Sequence, residues 1–178
     1  MTVYQVQSGL PVHLGGEVWS TGSLTGLNDG GDVAVYIPTS GYQYVNVMIH
    51  YDGSNVATNS YTQLHNNAGN RVGFEYVYRG YDVNSNALNY QGGNDDWQLF
   101  AQSQDCTQGW TLNAIIPVGL RDRPQIQIDM VYTRGGIGVA RVYGALSRPT
   151  ADTIERIGCN IDGPGVIDAM EWKVIGYK

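Results

Sequence analysis

The sequence predicts an all-β protein, an antiparallel β-sandwich or jelly roll with at most one short helical turn. Three observations predict this class. Apolar and polar residues alternate with a period of two in several segments, glycine (24 of 178 residues) gathers with Asn and Asp between these segments, and no long stretch has helical periodicity. Period-two alternation places one row of side chains on a core and the other toward solvent or a second packed surface.

The predicted strands follow one another at roughly ten-residue intervals, as in antiparallel sheets joined by turns. Alternation is clearest in 44–50, where Val45, Val47 and Ile49 form the apolar row. It recurs in 71–79, 125–132 and 170–177, and further strands are predicted at 33–37, 58–65, 97–101, 110–116, 137–146 and 153–159. The helical turn is placed in 150–157, where Asp152 can cap it and Glu155 follows three residues later.

Turn-forming residues separate these segments at 28–32, 52–55, 66–70, 92–96 and 135–136. Gly and Asn accept positive φ, and Asx side chains close turns on their own backbone. The first two loops offer oxygen ligands of the kind Ca²⁺ prefers, but neither fits the EF-hand pattern. His13, His50 and His65 lack zinc-ligand spacing. We therefore expect solvated turns, hydrogen-bonded structural histidines and no metal site, although His50 and His65 could face each other on adjacent strands.

The chain shows no internal repeat and no linker. We expect a sandwich domain over 33–178, with residues 1–32, richer in Gly, Ser and Thr, as an N-terminal arm or attachment segment packed along its edge. Cys106 and Cys159 are too few for a disulfide framework and are predicted to be thiols in or near the core.

Composition excludes several function classes. The net charge is −6, only 15% of residues are charged, and Lys173 and Lys178 are the only lysines. This disfavours nucleic-acid binding, since phosphate contacts supply most of that affinity. No apolar run approaches the ~20 residues of a membrane span. The N-terminus has neither a basic nor an apolar leader region, which predicts synthesis in a cytoplasm.

Catalytic motifs are absent from the sequence. It has no Gly-x-Ser-x-Gly elbow and no phosphate-cradling loop, so we expect neither an enzyme nor a cofactor. A glycoside hydrolase is the enzyme alternative, because a Tyr- and Trp-rich sandwich superficially resembles the small jelly-roll xylanases. Its two carboxylates would be Glu75 and Glu171, but neither has that family's surrounding motif. Both share their rows with basic residues, which is typical of a solvated outer face.

The 13 tyrosines suggest a binding role instead. Their amphipathic rings, interleaved with Asn and Gln, can stack on sugars, and they are equally common in protein–protein interfaces. The plain alternative is that Tyr is simply a good strand residue. The candidate partner or glycan surface comprises Tyr42, Tyr44, Tyr51, Tyr61, Tyr81, Tyr90 and Trp97. A carbohydrate-binding module is therefore an alternative function, and the scarcity of lysine favours a covered surface.

The order of several segments is also informative. Ile37-Pro38 and then Tyr42 precede an alternating strand, a small-polar loop follows at 52–59, an Asn-rich turn follows at 66–70, and the closing strand ends in Gly176-Tyr177. This layout, over most of 33–178, resembles phage virion structural proteins with a jelly-roll, concanavalin-like module, of the tail-fibre or capsid-decoration type.

The resemblance implies a non-enzymatic, surface-displayed element of the virion that is assembled in the host cytoplasm. Its implied partners are other virion proteins and further copies of itself, with a trimer favoured, and a host surface glycan is a candidate partner. Because 1–32 is too short for a long fibre shaft, we expect a compact decoration, spike or adaptor piece.

Overall fold

The described residues form thirteen β-strands, and none of them lies in a helix. The computed structural model describes residues 5–7, 10–12, 16–28, 33–53, 60–66, 68, 74–82, 87–94, 109–118, 125–134, 138–147, 154–161 and 166–178. The strands are β1 (Gln5–Gln7), β2 (Leu10–Val12), β3 (Glu17–Asn28), β4 (Val33–Tyr36), β5 (Tyr44–Tyr51), β6 (Ser60–Asn66), β7 (Phe74–Asp82), β8 (Ala87–Asn94), β9 (Trp110–Pro117), β10 (Gln125–Arg134), β11 (Gly138–Ser147), β12 (Ile154–Ile161) and β13 (Val166–Tyr177).

The strands form three sheets in which every pair is antiparallel. The largest has eight strands in the order β3-β13-β5-β9-β10-β11-β7-β8, a second has the order β4-β12-β6, and β1 and β2 form a separate pair. The eight-stranded and three-stranded sheets pack against each other around one core. The predicted all-β antiparallel sandwich is confirmed.

The apolar row of β5 lies at the centre of that core. Val47 pairs with Val174 of β13 on one side and with Ala114 of β9 on the other, and all three are fully buried. The three-stranded sheet covers this row with apolar side chains from each of its strands, among them Val35, Leu64 and Ile157. Full burial of one such large side chain stabilises the fold by about 1.5–3 kcal/mol.

Residues 17–28, expected in an N-terminal arm, form β3, which pairs along nearly all of its length with β13. Gly22 lies directly opposite Trp172, and a Cβ at Gly22 would overlap the indole ring. The large ring therefore fills the space that the glycine leaves, a cross-strand arrangement that supports glycine in an edge strand. Pairing with β13 outweighs the weak strand propensity of this Gly-, Ser- and Thr-rich segment.

Two local predictions differ from the structure. The structure has the strand β8 at Ala87–Asn94, where the sequence predicts only a turn from residue 92 onward. Gly92 and Gly93 belong to the strand because they pair with β7. The helical turn in 150–157 is wrong from Ile154 onward, since these residues belong to β12. Burial of Ile154 and Ile157 in the core outweighs the local capping signal. The strand expected at 97–101 lies outside the described residues.

The structure describes one of the two cysteines. Cys159 is buried in β12 with 1% of its surface exposed, as predicted for a small apolar thiol, whereas Cys106 lies outside the described residues. Within the described part of the chain, no helix has the length and apolar character needed to cross a membrane.

Candidate functional site

The face of the eight-stranded sheet that points away from the core, here called the outer face, carries the candidate site. The alternation that buries Val45, Val47 and Ile49 turns Tyr44, Asn46, Met48 and His50 to this face. β9 adds Ile115, which is 37% exposed, and β10 adds Val131, which is 41% exposed. The outer face therefore combines apolar, aromatic and amide side chains.

Tyr44 and Tyr177 form a cross-strand aromatic pair on the outer face. Their rings stack with centroids 4.7 Å apart and an interplanar angle of 13°. Together with Asn46 and Ile115 they line an open depression of about 400 Å³. The Oδ1 atom of Asn46 is buried and accepts no hydrogen bond. We call this group of four residues the outer-face depression.

The structure places the seven predicted binding residues in several different positions. Tyr44 lies in the outer-face depression, and Tyr42 is half-buried beside the core. Tyr51 is buried with 1% exposure and stacks on Trp110 at 5.2 Å, so it packs in the core and not on a surface. The backbones of Tyr61, Tyr81 and Tyr90 lie in β6, β7 and β8, and Trp97 lies outside the described residues.

Three residues of the depression were not among the predicted binding residues: Asn46, Ile115 and Tyr177. Alternation in the closing strand could have placed Tyr177 on the face that carries Glu171 and Lys173. The pairing of Tyr177 with Tyr44 joins residues more than a hundred positions apart, and no local pattern encodes it.

A second polar cluster lies where β3 begins. The Tyr42 hydroxyl donates a 2.5 Å hydrogen bond to Oε1 of Glu17, and Nζ of Lys178 lies 3.2 Å from the same oxygen. The ammonium group also sits 5.7 Å from the centre of the Tyr42 ring. These contacts join the start of β3 to the segment before β5 and to the C-terminal residue, which fixes β3 to the body of the sheet.

The cluster shifts the ionisation of both acidic partners. The Tyr42 hydrogen bond, followed by the Lys178 contact, lowers the pKa of Glu17, and the Glu17 carboxylate raises the pKa of Tyr42. The carboxylate therefore favours the folded chain at pH values above the ordinary glutamate range. That contribution is lost as the pH falls through the lowered pKa of Glu17.

We expect Tyr42→Phe to raise the pKa of Glu17 toward that of an ordinary glutamate, because the substitution removes the largest cause of the shift. An NMR titration that follows the Glu17 side-chain carboxyl carbon measures this pKa in the wild type and in the variant. Tyr36→Phe is the matched control, since Tyr36 is an exposed tyrosine of the three-stranded sheet. An unchanged Glu17 midpoint in Tyr42→Phe would show that the hydroxyl contact is absent in solution.

Glu75 and Glu171 are too far apart to form the carboxylate pair of a glycoside hydrolase. Glu171 is exposed on β13 and Glu75 belongs to β7, with four strands between them. Five strand spacings of about 4.8 Å place the two backbones about 24 Å apart. Glycosidase carboxylates lie about 5 to 9.5 Å apart, so these two residues cannot flank one glycosidic bond.

The structure describes two of the three histidines, His50 and His65. Nδ1 of His50 lies 3.0 Å from Oγ1 of Thr111 across the β5–β9 pair, which agrees with the prediction of a hydrogen-bonded histidine. His65 is buried in β6, in the other sheet, so His50 and His65 do not lie on adjacent strands. Among the described residues no group of three or more His, Cys, Asp and Glu side chains could hold a metal ion. Most of the loops 28–32 and 52–55, and His13, lie outside those residues.

A scan of protein-family models matches none of them to this chain, and a search of curated proteins gives no match either.

Proposed function

We propose that the protein is a non-enzymatic structural subunit of a phage particle, a surface-displayed decoration, spike or tail component that self-associates. The observation that carries the self-association is the open edge of β3. Its backbone pairs with β13 on one side and with no described strand on the other. An exposed strand edge presents unpaired N–H and C=O groups to any chain that can add a strand.

The composition of β3 supports this use of its edge. The strand is 12 residues long, and from Val18 to Asn28 it contains no charged residue and no proline. Val18 is 56% exposed, and Trp19, which lies at the register shift of β3 against β13, is 41% exposed. Edge strands that must stay unpaired are protected by charges, proline or short length. β3 has a bulge but lacks the other protections, which is consistent with an edge that is covered in the assembly.

The strand order offers a route to the expected trimer. Among the described strands β8 is the opposite edge of the same sheet and, like β3 beyond Glu17, it contains no charged residue. Pairing of β3 with β8 of a neighbouring copy is a heterologous contact, which generates a ring when the rotation closes. Pairing of β3 with a second β3 is isologous and gives a dimer. The mass of the assembly in solution distinguishes these two arrangements.

The assignment to a phage particle comes from the sequence resemblance. Low lysine content and a tyrosine-rich composition are consistent with a surface that other virion proteins or a host cover. Expression in a cytoplasm followed by incorporation into the virion is part of the same proposal. Co-purification of the chain with particles of its parent phage tests it, and absence from purified particles would contradict it.

We expect the wild-type chain to be an oligomer at micromolar concentration and the double variant Ser23→Lys, Thr25→Lys to be a monomer. Both residues are exposed on β3, where added positive charges disfavour the pairing of a second chain with the open edge. Ser23 lies opposite Glu171, so a lysine at this position faces an opposite charge within the β3–β13 pair. Light scattering coupled to size-exclusion chromatography measures the mass.

The matched control is the double variant Asn113→Lys, Gln127→Lys, which adds the same charge at exposed positions of the central strands β9 and β10. It should remain an oligomer. A monomeric wild-type chain, or equal masses for the two double variants, would contradict self-association through the β3 edge.

A further inference from the structure

We propose that the outer-face depression binds one ring of an uncharged glycan. The ring would stack on the face of Tyr44 that is turned away from Tyr177, and one of its hydroxyl groups would donate a hydrogen bond to Oδ1 of Asn46. This site goes beyond the proposed structural role and does not depend on self-association, since its four residues lie on β13, β5 and β9 and the proposed self-association uses the backbone edge of β3.

The size and lining of the depression define the class of ligand. Its volume of about 400 Å³ lies within the range of about 300–1,000 Å³ that is usual for small-molecule sites. None of the four described residues that line it carries a charge. Phosphate and carboxylate ligands are usually held by charge-assisted hydrogen bonds from Arg or Lys, which this lining does not offer. A neutral ligand with both an apolar face and hydroxyl groups matches it.

The tyrosine pair is an ordered platform for such a ring. The two side chains project from paired positions on β5 and β13, and their stacking at 4.7 Å with a 13° interplanar angle holds the rings nearly parallel. Side chains that are already ordered lose little conformational freedom on binding, which favours affinity. The C–H face of a pyranose ring complements the negative π-face of an aromatic ring.

Asn46 supplies the polar contact. A buried acceptor with no hydrogen bond destabilises a fold, and Oδ1 of Asn46 is such an atom. The terminal torsion of an asparagine is broad, so a small rotation turns Oδ1 into the depression that the residue lines. A sugar hydroxyl that donates to this oxygen satisfies it.

The experiment is an NMR titration of the ¹⁵N-labelled full chain with three neutral oligosaccharides: cellohexaose, maltohexaose and chitohexaose. With at least one of them, at millimolar concentration, we expect shifts centred on the side-chain amide of Asn46 and the backbone amides of Tyr44, Ile115 and Tyr177. Absence of shifts with all three, or shifts centred elsewhere, would overturn the proposal.

Two variants test the two contacts separately. We expect Tyr44→Ala to weaken binding at least about fivefold by removing the aromatic ring on which the sugar stacks. Asn46→Leu keeps the size of the side chain and removes the orphaned acceptor, so it should retain or increase thermal stability while it weakens binding. Tyr36→Ala, at an exposed tyrosine of the three-stranded sheet, is the matched control and should bind as the wild type does. Unchanged affinity in both Tyr44→Ala and Asn46→Leu would also overturn the site. Absence of glycan binding by a wild-type chain that is an oligomer would count against this site alone and leave the structural role standing.

Discussion

Gly109→Ala is expected to lower the free energy of unfolding by about 3 kcal/mol, because two separate effects act at this residue. Gly109 has a φ of 71°, in the left-handed region that residues with a Cβ adopt at a cost of about 1–2 kcal/mol. A Cβ at this position would also overlap the carbonyl oxygen of Tyr51. That oxygen belongs to backbone and cannot rotate away as a flexible side chain can.

The position of Gly109 makes the clash consequential. The residue immediately precedes β9, and Trp110 pairs with Tyr51 at the end of β5. Relief of the overlap requires β5 and β9 to separate at this point, where Tyr51 and Trp110 stack as buried core residues. The strain would thus reach the packing between the central strands and not stay at Gly109.

Gly41→Ala is the matched control, because Gly41 also has positive φ, 84°, but nothing lies within 4 Å of an added Cβ. We expect it to lower stability by only about 1 kcal/mol, the conformational part alone. Urea unfolding of the wild type and both variants measures the difference. Equal losses in Gly41→Ala and Gly109→Ala would show that the backbone overlap at Gly109 is relieved without penalty.

The sequence predicts those features of the fold that local alternation encodes. Val45, Val47 and Ile49 alternate with polar neighbours, and the structure buries all three. Local alternation does not predict which strands pair with β5, because one of them, β13, lies at the far end of the chain. Such a pairing depends on packing in three dimensions, which propensity does not contain.

The candidate site illustrates the same limit. Tyr51 lies seven residues after Tyr44, an odd separation, so strand alternation places the two on opposite faces. The odd spacing in the sequence is therefore enough to distinguish the core tyrosine Tyr51 from the surface tyrosine Tyr44. Tyr177 and Ile115 join Tyr44 only through the registers of β13 and β9 with β5. Aromatic and amide composition therefore suggested a binding role but could not define the depression.

β3 shows how a distant residue can determine local structure. Its glycine and hydroxyl residues give weak strand propensity, and the segment was therefore expected in an arm. Trp172 covers Gly22 from the neighbouring strand, and Glu17 contacts Tyr42 and Lys178. Because most of these partners are distant from β3 in the sequence, the strand cannot be predicted without knowing that β13 pairs with it.

Leu112→Ala is expected to lower the free energy of unfolding by about 2–5 kcal/mol, the usual range for this truncation in a packed core. Leu112 has no exposed surface, and in the sheet it pairs with Ile49 of β5 and Met130 of β10, which are also buried. Strands on both sides of Leu112 limit collapse of the cavity that the substitution leaves. A loss near the upper end of the range follows if the neighbouring strands do not relax.

Ile115 provides the control on the same strand, because it lies three residues later on the outer face and is 37% exposed. Ile115→Ala removes an aliphatic side chain of the same size but leaves a space that solvent fills, so we expect a loss below about 1 kcal/mol. Urea unfolding of both variants, with the slope of the transition compared, separates a change in stability from a change in the unfolded state. Similar losses in Leu112→Ala and Ile115→Ala would mean that the two faces of β9 are equally accessible, which contradicts the packing of the three-stranded sheet over the Leu112 face.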